Sequence, residues 1–431
     1  MFRKIVLPYF LLAATAFCNA QQPVGTLPAA DSLSLTLDSA GAIFLRNNFL
    51  LLAQKYNVDM AKALVIQARL YPNPGFNFST AIYNENTKKT FPAPLSGDGE
   101  VIGGISQLIL LAGKRNKQVQ LAQANVRLNE YQFFDLIRTL KYTLRTDFYN
   151  IYYLQQSAKA YDAEIKALDQ IVIAFDQQQG KGYISEKEVV RIKALLYSFR
   201  SEYNDLQNKI NDTESELRKV MQVKPYTFIY PLPDSEAIRH LDPLKFQLAT
   251  LLDTAYKHRT DLLIAKQNTN INQLNYTYQK ALAVPDLVAN ISYDQQGSYV
   301  HNLAMAGIAV NLPFFNRNQG NIKAAKYSID AAASAQKSVE ASVEENVFRA
   351  LQKALDQDKL FREIDPEFLS DFDRLMKEVL ANYKKRNISI LEFLDFYDSY
   401  KQNVLQINAI QFNRVSAFED INFFTANNFF N

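Results

Sequence analysis

The chain has a single cysteine, Cys18, no tryptophan and only three histidines in 431 residues. Glycine (13) and proline (14) together make up roughly 6% of it, too little for a loop-rich all-β protein or a linker array. Charge of one sign is also missing. Lysine and arginine number 47 against 44 acids, and Arg3 and Lys4 lie in an acid-free stretch at residues 1–20, so the remainder carries 45 against 44. That balance makes nucleic acid a poor partner, and none is expected. Beyond residue 20 no run of 18 apolar residues occurs, so no helix is expected to span a membrane. What is present is 48% hydrophobic content, enough to bury large apolar faces, and the scarcity of breakers points to long helices.

Arg3 and Lys4 precede an apolar stretch at residues 5–17, and Ala20 supplies a small residue before Gln21 and Gln22. This is the layout of a secretory signal peptide, expected at 1–20 with cleavage after Ala20. Its apolar core of about 13 residues is too short for a bilayer interior of about 30 Å. Lipidation of Cys18 stays open. With cleavage at Ala20 the mature chain has no cysteine, which excludes disulfides, thiolate metal sites and a cysteine nucleophile.

Two halves share one order of punctuation. An amphipathic stretch opens at Leu37 and reaches Pro72, and another opens at Leu252 and reaches Pro285. Each proline is followed by period-two alternation: Phe76, Phe78 and Ile82 against Gly75, Asn77 and Ser79, then Leu287, Ala289, Ile291 and Tyr293 against Asn290, Ser292 and Asp294. Expected strands are 75–84 and 101–110 in the first half, and 286–295 and 302–312 in the second. Expected helices are 37–71, 113–179 and 185–222, then 248–283, 317–385 and 389–416. The division is a first repeat at 21–223, a proline-bearing connector at 224–246 lying outside the helical rods, a second repeat at 247–418 and a tail at 419–431. The Phe-rich tail is expected to pack against the helices rather than to form a strand.

Thirteen apolar positions from 133 to 175 take twelve steps over 42 residues, a mean spacing of 3.5, the period of a left-handed supercoil. With no glycine or proline from 114 to 179, a continuous rod would be on the order of 100 Å long. It breaks at Gly180-Lys181-Gly182 and restarts at Ser185, with Glu188 three residues on as in a capping box. At an offset of 204 residues, Gly182-Tyr183-Ile184-Ser185 meets Arg386-Asn387-Ile388-Ser389, and Ser389 is followed by Glu392. The same offset sets Leu108 on Leu312. Landmarks that keep one offset argue for internal duplication.

The four expected strands have the length of membrane-spanning β-strands, about 9 to 11 residues. Four cannot close a barrel, and open edges in lipid cost several kcal/mol per backbone group. The smallest spanning barrels have about eight strands. Either the hairpins form a small soluble sheet on a helical bundle, or several copies pool them in a shared barrel; the leader and the long rods favour the barrel.

Leu312-Pro313-Phe314-Phe315-Asn316-Arg317-Asn318-Gln319-Gly320, followed by Ile322 and Ala324-Ala325, resembles the strand-to-helix junction of the TolC-type outer-membrane efflux proteins, especially their heavy-metal (cation) efflux branch. The stretch from Gln107 through Gly113-Lys114-Arg115 is similar to the matching junction in the first repeat. The resemblance spans about residues 33 to 418. It implies a mainly α fold with a small membrane β-barrel portion: a duplicated helix-strand-strand-helix unit that assembles as a homotrimer, with a trimeric α-helical tunnel and a shared 12-stranded β-barrel. It also implies outer-membrane lipid around the barrel, and a periplasmic adaptor (membrane fusion) protein and an inner-membrane efflux pump as partners. Tyr383, Glu392 and Asp395 are similar to the segment that narrows the periplasmic entrance, with Glu188 and Arg191 on the corresponding face of the first repeat and able to pair with Tyr383 or Asp395. The turns at 182–185 and 386–389 would be adaptor contacts. Arg386 departs from the family, which often has glycine there.

The competing reading of the two acids is that they only favour a positive helix N-terminus. No cofactor is expected: His240, His258 and His301 are isolated, and neither a phosphate-cradling loop nor a nucleophile elbow occurs, so no enzyme activity is expected. The alternative function is a periplasmic coiled-coil adaptor or scaffold protein without a pore, which should carry one hairpin rather than a duplicated unit.

Overall fold

The computed structural model describes residues 31–93, 97–296, 300–365 and 367–430; the expected leader at 1–20, with Cys18, lies outside them. In chain order the elements are β1 (Asp31–Leu35), α1 (Leu37–Asn47), α2 (Phe49–Arg69), β2 (Gly75–Thr80), the two-residue strands β3 (Tyr83–Asn84) and β4 (Lys89–Thr90), β5 (Val101–Ile109), α3 (Lys114–Gln179) and α4 (Glu186–Met221). After them come β6 (Thr227–Pro231), α5 (Ser235–Arg239), a 3-10 turn (Pro243–Lys245), α6 (Leu248–His258), α7 (Thr260–Leu282), β7 (Leu287–Asp294) and β8 (Leu303–Val310). Three helices complete the chain: α8 (Gln319–Arg362), α9 (Phe368–Lys384) and α10 (Ile390–Thr425).

α3 runs unbroken for 66 residues, and α4 and α10 pack back along it, each meeting it through apolar positions. Leu168, Ile171, Ile192, Phe199, Phe393 and Tyr397 form one core near the hairpin ends, and Phe148, Ile151, Leu144, Leu217 and Met221 a second midway. A third core sits where α6, α8 and α10 meet, around Leu251, Val343, Val347 and Phe418. Spreading the apolar faces over three separate cores is what a rod requires.

One antiparallel sheet has the order β2-β5-β7-β8, so the hairpins of the two repeats pair through β5 and β7, with Ile105 opposite Ile291. The helices leading into or out of these strands pack in the same order, α2 on α3, α3 on α7 and α7 on α8. Strand alternation sorts the side chains. One face carries Phe76, Phe78, Ile105, Ile109, Ile291, Tyr293, Ile308 and Val310, all exposed. The other carries Asn77, Ser79, Ser106, Asn290, Ser292 and Asp294, with Ile102, Leu108, Val288, Leu303 and Met305 among them. Each hairpin sets an asparagine over a glycine on this face. A Cβ on Gly104 would stand 2.6 Å from Asn77 Oδ1, and one on Gly307 2.5 Å from Asn290 Oδ1, so a side chain at either glycine would make the neighbouring amide shift.

Several expected elements differ. The helix expected at 37–71 is α1 and α2, separated at Asn48, and the one at 248–283 is α6 and α7, separated at Arg259. Both linking residues are buried and extended, with ψ of 116° and 117°. Asn48 donates to the Val220 carbonyl at 2.8 Å and accepts from Leu50 and Leu51 N–H, a long-range contact that the amphipathic pattern does not register. The helix expected at 317–385 is α8 plus α9, with Pro366 in the sequence between them, a residue that lacks the N–H a helix interior needs. α10 continues past 416 to Thr425, so the expected tail at 419–431 is largely helical. It packs on the helices: Phe430 lies 4.7 Å from Phe418 and 5.3 Å from Phe246, centroid to centroid. The connector at 224–246 is not simply irregular, because β6 pairs parallel with β1, Leu33 opposite Ile229.

Candidate functional site

The two helix hairpins end in turns that repeat bond for bond at the 204-residue offset. In the first, Gly182 N–H donates to the Gln179 carbonyl (2.8 Å) and Tyr183 N–H to Gln178 (3.0 Å). In the second, Arg386 N–H donates to Tyr383 (3.0 Å) and Asn387 N–H to Asn382 (2.9 Å). Nested bonds of this kind end a helix through a left-handed residue. Gly182 takes φ 76° without cost, whereas Arg386 takes φ 61°, which a side chain makes unfavourable by about 1–2 kcal/mol. The guanidinium offsets that cost, since its Nη2 donates to the Tyr183 carbonyl at 2.7 Å and to Gln178 Oε1 at 3.2 Å, tying the second turn to the first. This bridge was invisible in the sequence, where Arg386 registers only as a departure from glycine.

Both helices after the turns start with a complete capping box, Ser185 with Glu188 and Ser389 with Glu392. The Ser389 backbone N–H donates to Glu392 Oε2 at 2.8 Å. That bond and the Ser389 hydroxyl hold the Glu392 carboxyl below the ordinary glutamate range, so it is charged at neutral pH. Asp395 is exposed one turn further along, and Glu392 and Asp395 share a face at i and i+3. Neither Asp395 nor Arg191 makes an ion pair among the described residues. Of the turn residues, Ile184 is buried and Ile388 packs against the core, while Tyr183, Ser185 and Asn387 are exposed.

Tyr383 stands apart from the acids. It is 5% exposed, stacked on Phe393 at 4.2 Å and 11°, with Phe175 5.4 Å away. Its buried hydroxyl has no hydrogen-bond partner, so the expected pairing with Glu188 or Arg191 is not made. Burial, with the charge of Glu188 adding, pushes its phenol well above the usual value. The ring belongs to the chain's own hairpin core because position 383 falls on the α9 stripe with Met376 and Val379. An orphaned buried hydroxyl costs desolvation without return. Tyr383→Phe should therefore leave stability unchanged or raise it by up to about 1 kcal/mol, read from thermal unfolding; a clear loss would reveal a partner for the hydroxyl.

At the other end of the rods, the junction residues knit the repeats together. Gly113, φ 67°, opens α3, and Asn318, φ 59°, opens α8. Lys114 is buried, with Nζ 2.6 Å from Asp286 Oδ1 and 2.6 Å from the Val284 carbonyl. Arg115 lies 3.8 Å over the Tyr71 ring. Asn318 Nδ2 donates to the carbonyl and Oε1 of Gln279, at 2.8 and 3.0 Å. Asn316 accepts from Asn318 N–H and Gln319 from Arg317 N–H, which shapes the loop after Pro313; Gly320 faces open space. Asp286 is the partner the sequence did not single out.

Among the described residues no helix is long and apolar enough to cross a membrane, and no three His, Cys, Asp or Glu side chains gather as metal ligands. Residues 43–221 match the sequence profile of the outer membrane efflux protein family. Over 340 residues, 77% of each chain, the protein is 22% identical to the cobalt-zinc-cadmium resistance protein CzcC of Cupriavidus metallidurans. Its fold matches the CmeC outer membrane channel of Campylobacter jejuni with a TM-score of 0.71 at 14% identity, covering 90% of this chain and 85% of that one. It also matches the outer membrane protein VceC of Vibrio cholerae with a TM-score of 0.69 at 14% identity, covering 91% and 96%. The profile match thus lies in the first repeat, and along nearly its whole length the chain shares the fold of these outer-membrane channels.

Proposed function

We propose that three copies form the passive outer-membrane duct of a tripartite efflux system, fed by an inner-membrane pump through a periplasmic adaptor. The observation that carries this reading is the four-stranded sheet with one apolar exposed face, a second face that bears most of the polar side chains, and two open edges, β2 and β8. Open edges in lipid are costly, and pairing β2 of one copy with β8 of the next removes them. The same operation brings α2, whose Phe49, Leu52, Tyr56, Met60 and Leu64 are exposed, against α8 of the neighbour. Three copies give twelve strands, above the smallest closed barrels of about eight. The hairpin turns, bridged by Arg386, are the adaptor-docking end.

For cargo, we propose a metal cation. The name of CzcC ties that protein to cobalt, zinc and cadmium. Here the exposed pair Glu392 and Asp395 supports the same class, because threefold symmetry would gather six carboxylates around one axis and favour cations. In planar bilayers the purified mature protein should conduct as a trimer, and Glu392→Ala with Asp395→Ala should lower cation over anion permeability several-fold, most visibly at low salt. Unchanged selectivity would remove the acids from the pore, and a water-soluble monomer that never conducts would sink the duct itself.

A further inference from the structure

The strand-helix junctions hold an imbalance of charge that the duct does not require. Asp286 is the one acid in residues 60–84, 101–129, 262–293 and 295–329, and Lys114 takes it up. Arg69 ends α2, Arg115 and Lys117 lie in the first turn of α3, Lys280 in the last turn of α7, and Arg317 and Lys323 flank the start of α8. None of the six makes an ion pair among the described residues, and Arg69, Lys280, Arg317 and Lys323 are exposed. All sit at one end of the sheet, since Gly75 opposes Ser106, and Leu287 opposes both Ile109 and Val310.

Arg69 and Lys280 suit the C-terminal ends of their helices, but the other four do not. Four of the six lie at the N-terminal ends of α3 and α8, where the macrodipole disfavours cations and neither first turn holds an acid. Beside them stand aromatic rings in water: Tyr71, on which Arg115 lies, and Phe314 and Phe315, the latter 95% exposed. Exposed aromatics interleaved with lysine and arginine, just where an apolar strand face stops, are the composition of a bilayer headgroup zone.

We propose that this belt binds anionic phospholipid headgroups of the membrane leaflet that faces the helices, with the rings of Tyr71, Phe314 and Phe315 seated among the first carbons of the acyl chains. The proposal rests on the outer-membrane reading above. It gives the barrel a charge lock on its depth and tilt, which an apolar band alone sets loosely.

The test uses the mature protein and two variants. One carries Arg69→Gln, Lys280→Gln and Lys323→Gln, three exposed side chains; the other adds Arg115→Gln, Lys117→Gln and Arg317→Gln. Each is reconstituted in phosphatidylcholine with a minority of phosphatidylglycerol and re-extracted, and bound lipids are counted by native mass spectrometry. The unsubstituted protein should retain phosphatidylglycerol at least tenfold above its bulk share, the triple variant several-fold less, and the sextuple variant close to bulk. Should the sextuple variant not fold, the triple variant alone decides. Equal retention by the triple variant overturns the proposal. So does displacement of the lipid by inorganic phosphate, which would mark a free-anion site. A trimer that falls apart on neutralisation would make the belt an interface between copies, and a change of ion selectivity with lipid retention intact would place it in the lumen; both overturn the proposal and leave the duct standing. Failure of the unsubstituted protein to insert at all overturns the duct and the belt together.

Discussion

Arg414→Met will destabilise the protein by about 3–5 kcal/mol, the range for breaking a buried pair from one side. Arg414 is 2% exposed, yet each of its three guanidinium nitrogens donates a hydrogen bond. Nε donates to Asp358 Oδ1 at 2.8 Å, Nη1 to the Ile238 carbonyl at 2.8 Å and Nη2 to the Leu241 carbonyl at 2.7 Å. The plane lies 4.3 Å from the Phe361 ring centre and 5.2 Å from that of Phe418. Methionine fills much of the volume but leaves a buried carboxylate, held then by the half-exposed Arg362 alone, and takes from the Leu241 carbonyl its guanidinium donor, while the Ile238 carbonyl keeps only a backbone N–H. Arg414→Lys should fail almost as badly, because one ammonium cannot reach three acceptors fixed in a fork. As Ile238 and Leu241 belong to the connector, the loss should first appear as new protease cutting between residues 232 and 247, together with a lower denaturation midpoint. An unchanged midpoint and an uncut connector would mean the network is not formed.

Phe393→Ala is the second large effect, again about 3–5 kcal/mol, as for other fully buried aromatic truncations. Phe393 has no exposed surface; its ring stacks on Tyr383 and lies 4.9 Å from Tyr397, which in turn meets Phe199 at 5.6 Å. The cavity would open where α3, α4, α9 and α10 come together, far from the sheet. Because the protein has separate cores, this loss should be local: amide exchange should speed up in residues 172–200 and 376–400 while the sheet stays protected. Loosened hairpin ends should also raise the resting conductance in planar bilayers. Faster exchange throughout the chain would contradict the division into independent cores. The contrast with Tyr383→Phe, a neighbour whose hydroxyl contributes nothing, separates packing from polar bonding at this tip.

The elements that were plain in the residues are those with a local cause. The 3.5-residue spacing along α3, the serine-to-glutamate caps at Ser185 and Ser389, and the alternation after Pro72 and Pro285 all depend on neighbours within a few positions. What escaped was non-local. The parallel pairing of β1 with β6 joins Leu33 to Ile229, and nothing in five residues of either strand names the other. The breaks at Asn48 and Arg259 lie inside apolar periodicity that reads as continuous; a buried side chain bonded elsewhere, Asn48 to Val220, decides one of them. Pro366 is a breaker visible in the sequence, and the helix expected across 317–385 is divided into α8 and α9 on either side of it. Of the candidate site, Glu392 and Asp395 fall on one exposed face as their spacing implies, while Tyr383, a similar distance from the turn, is taken into the core.

By itself the sequence determined the rods, the alternating strands, the doubling of the unit and the chemistry of each turn, because these follow from backbone periods and from side chains bonding to residues three or four away. Tertiary structure alone decided that β5 meets β7 and leaves β2 and β8 as edges, that Arg386 spans two turns as well as ending one, and that Arg414 holds the connector. Those outcomes depend on where a chain returns after a hundred residues or more. There, close packing and the cost of an unpaired buried group choose among partners that a linear pattern leaves equal.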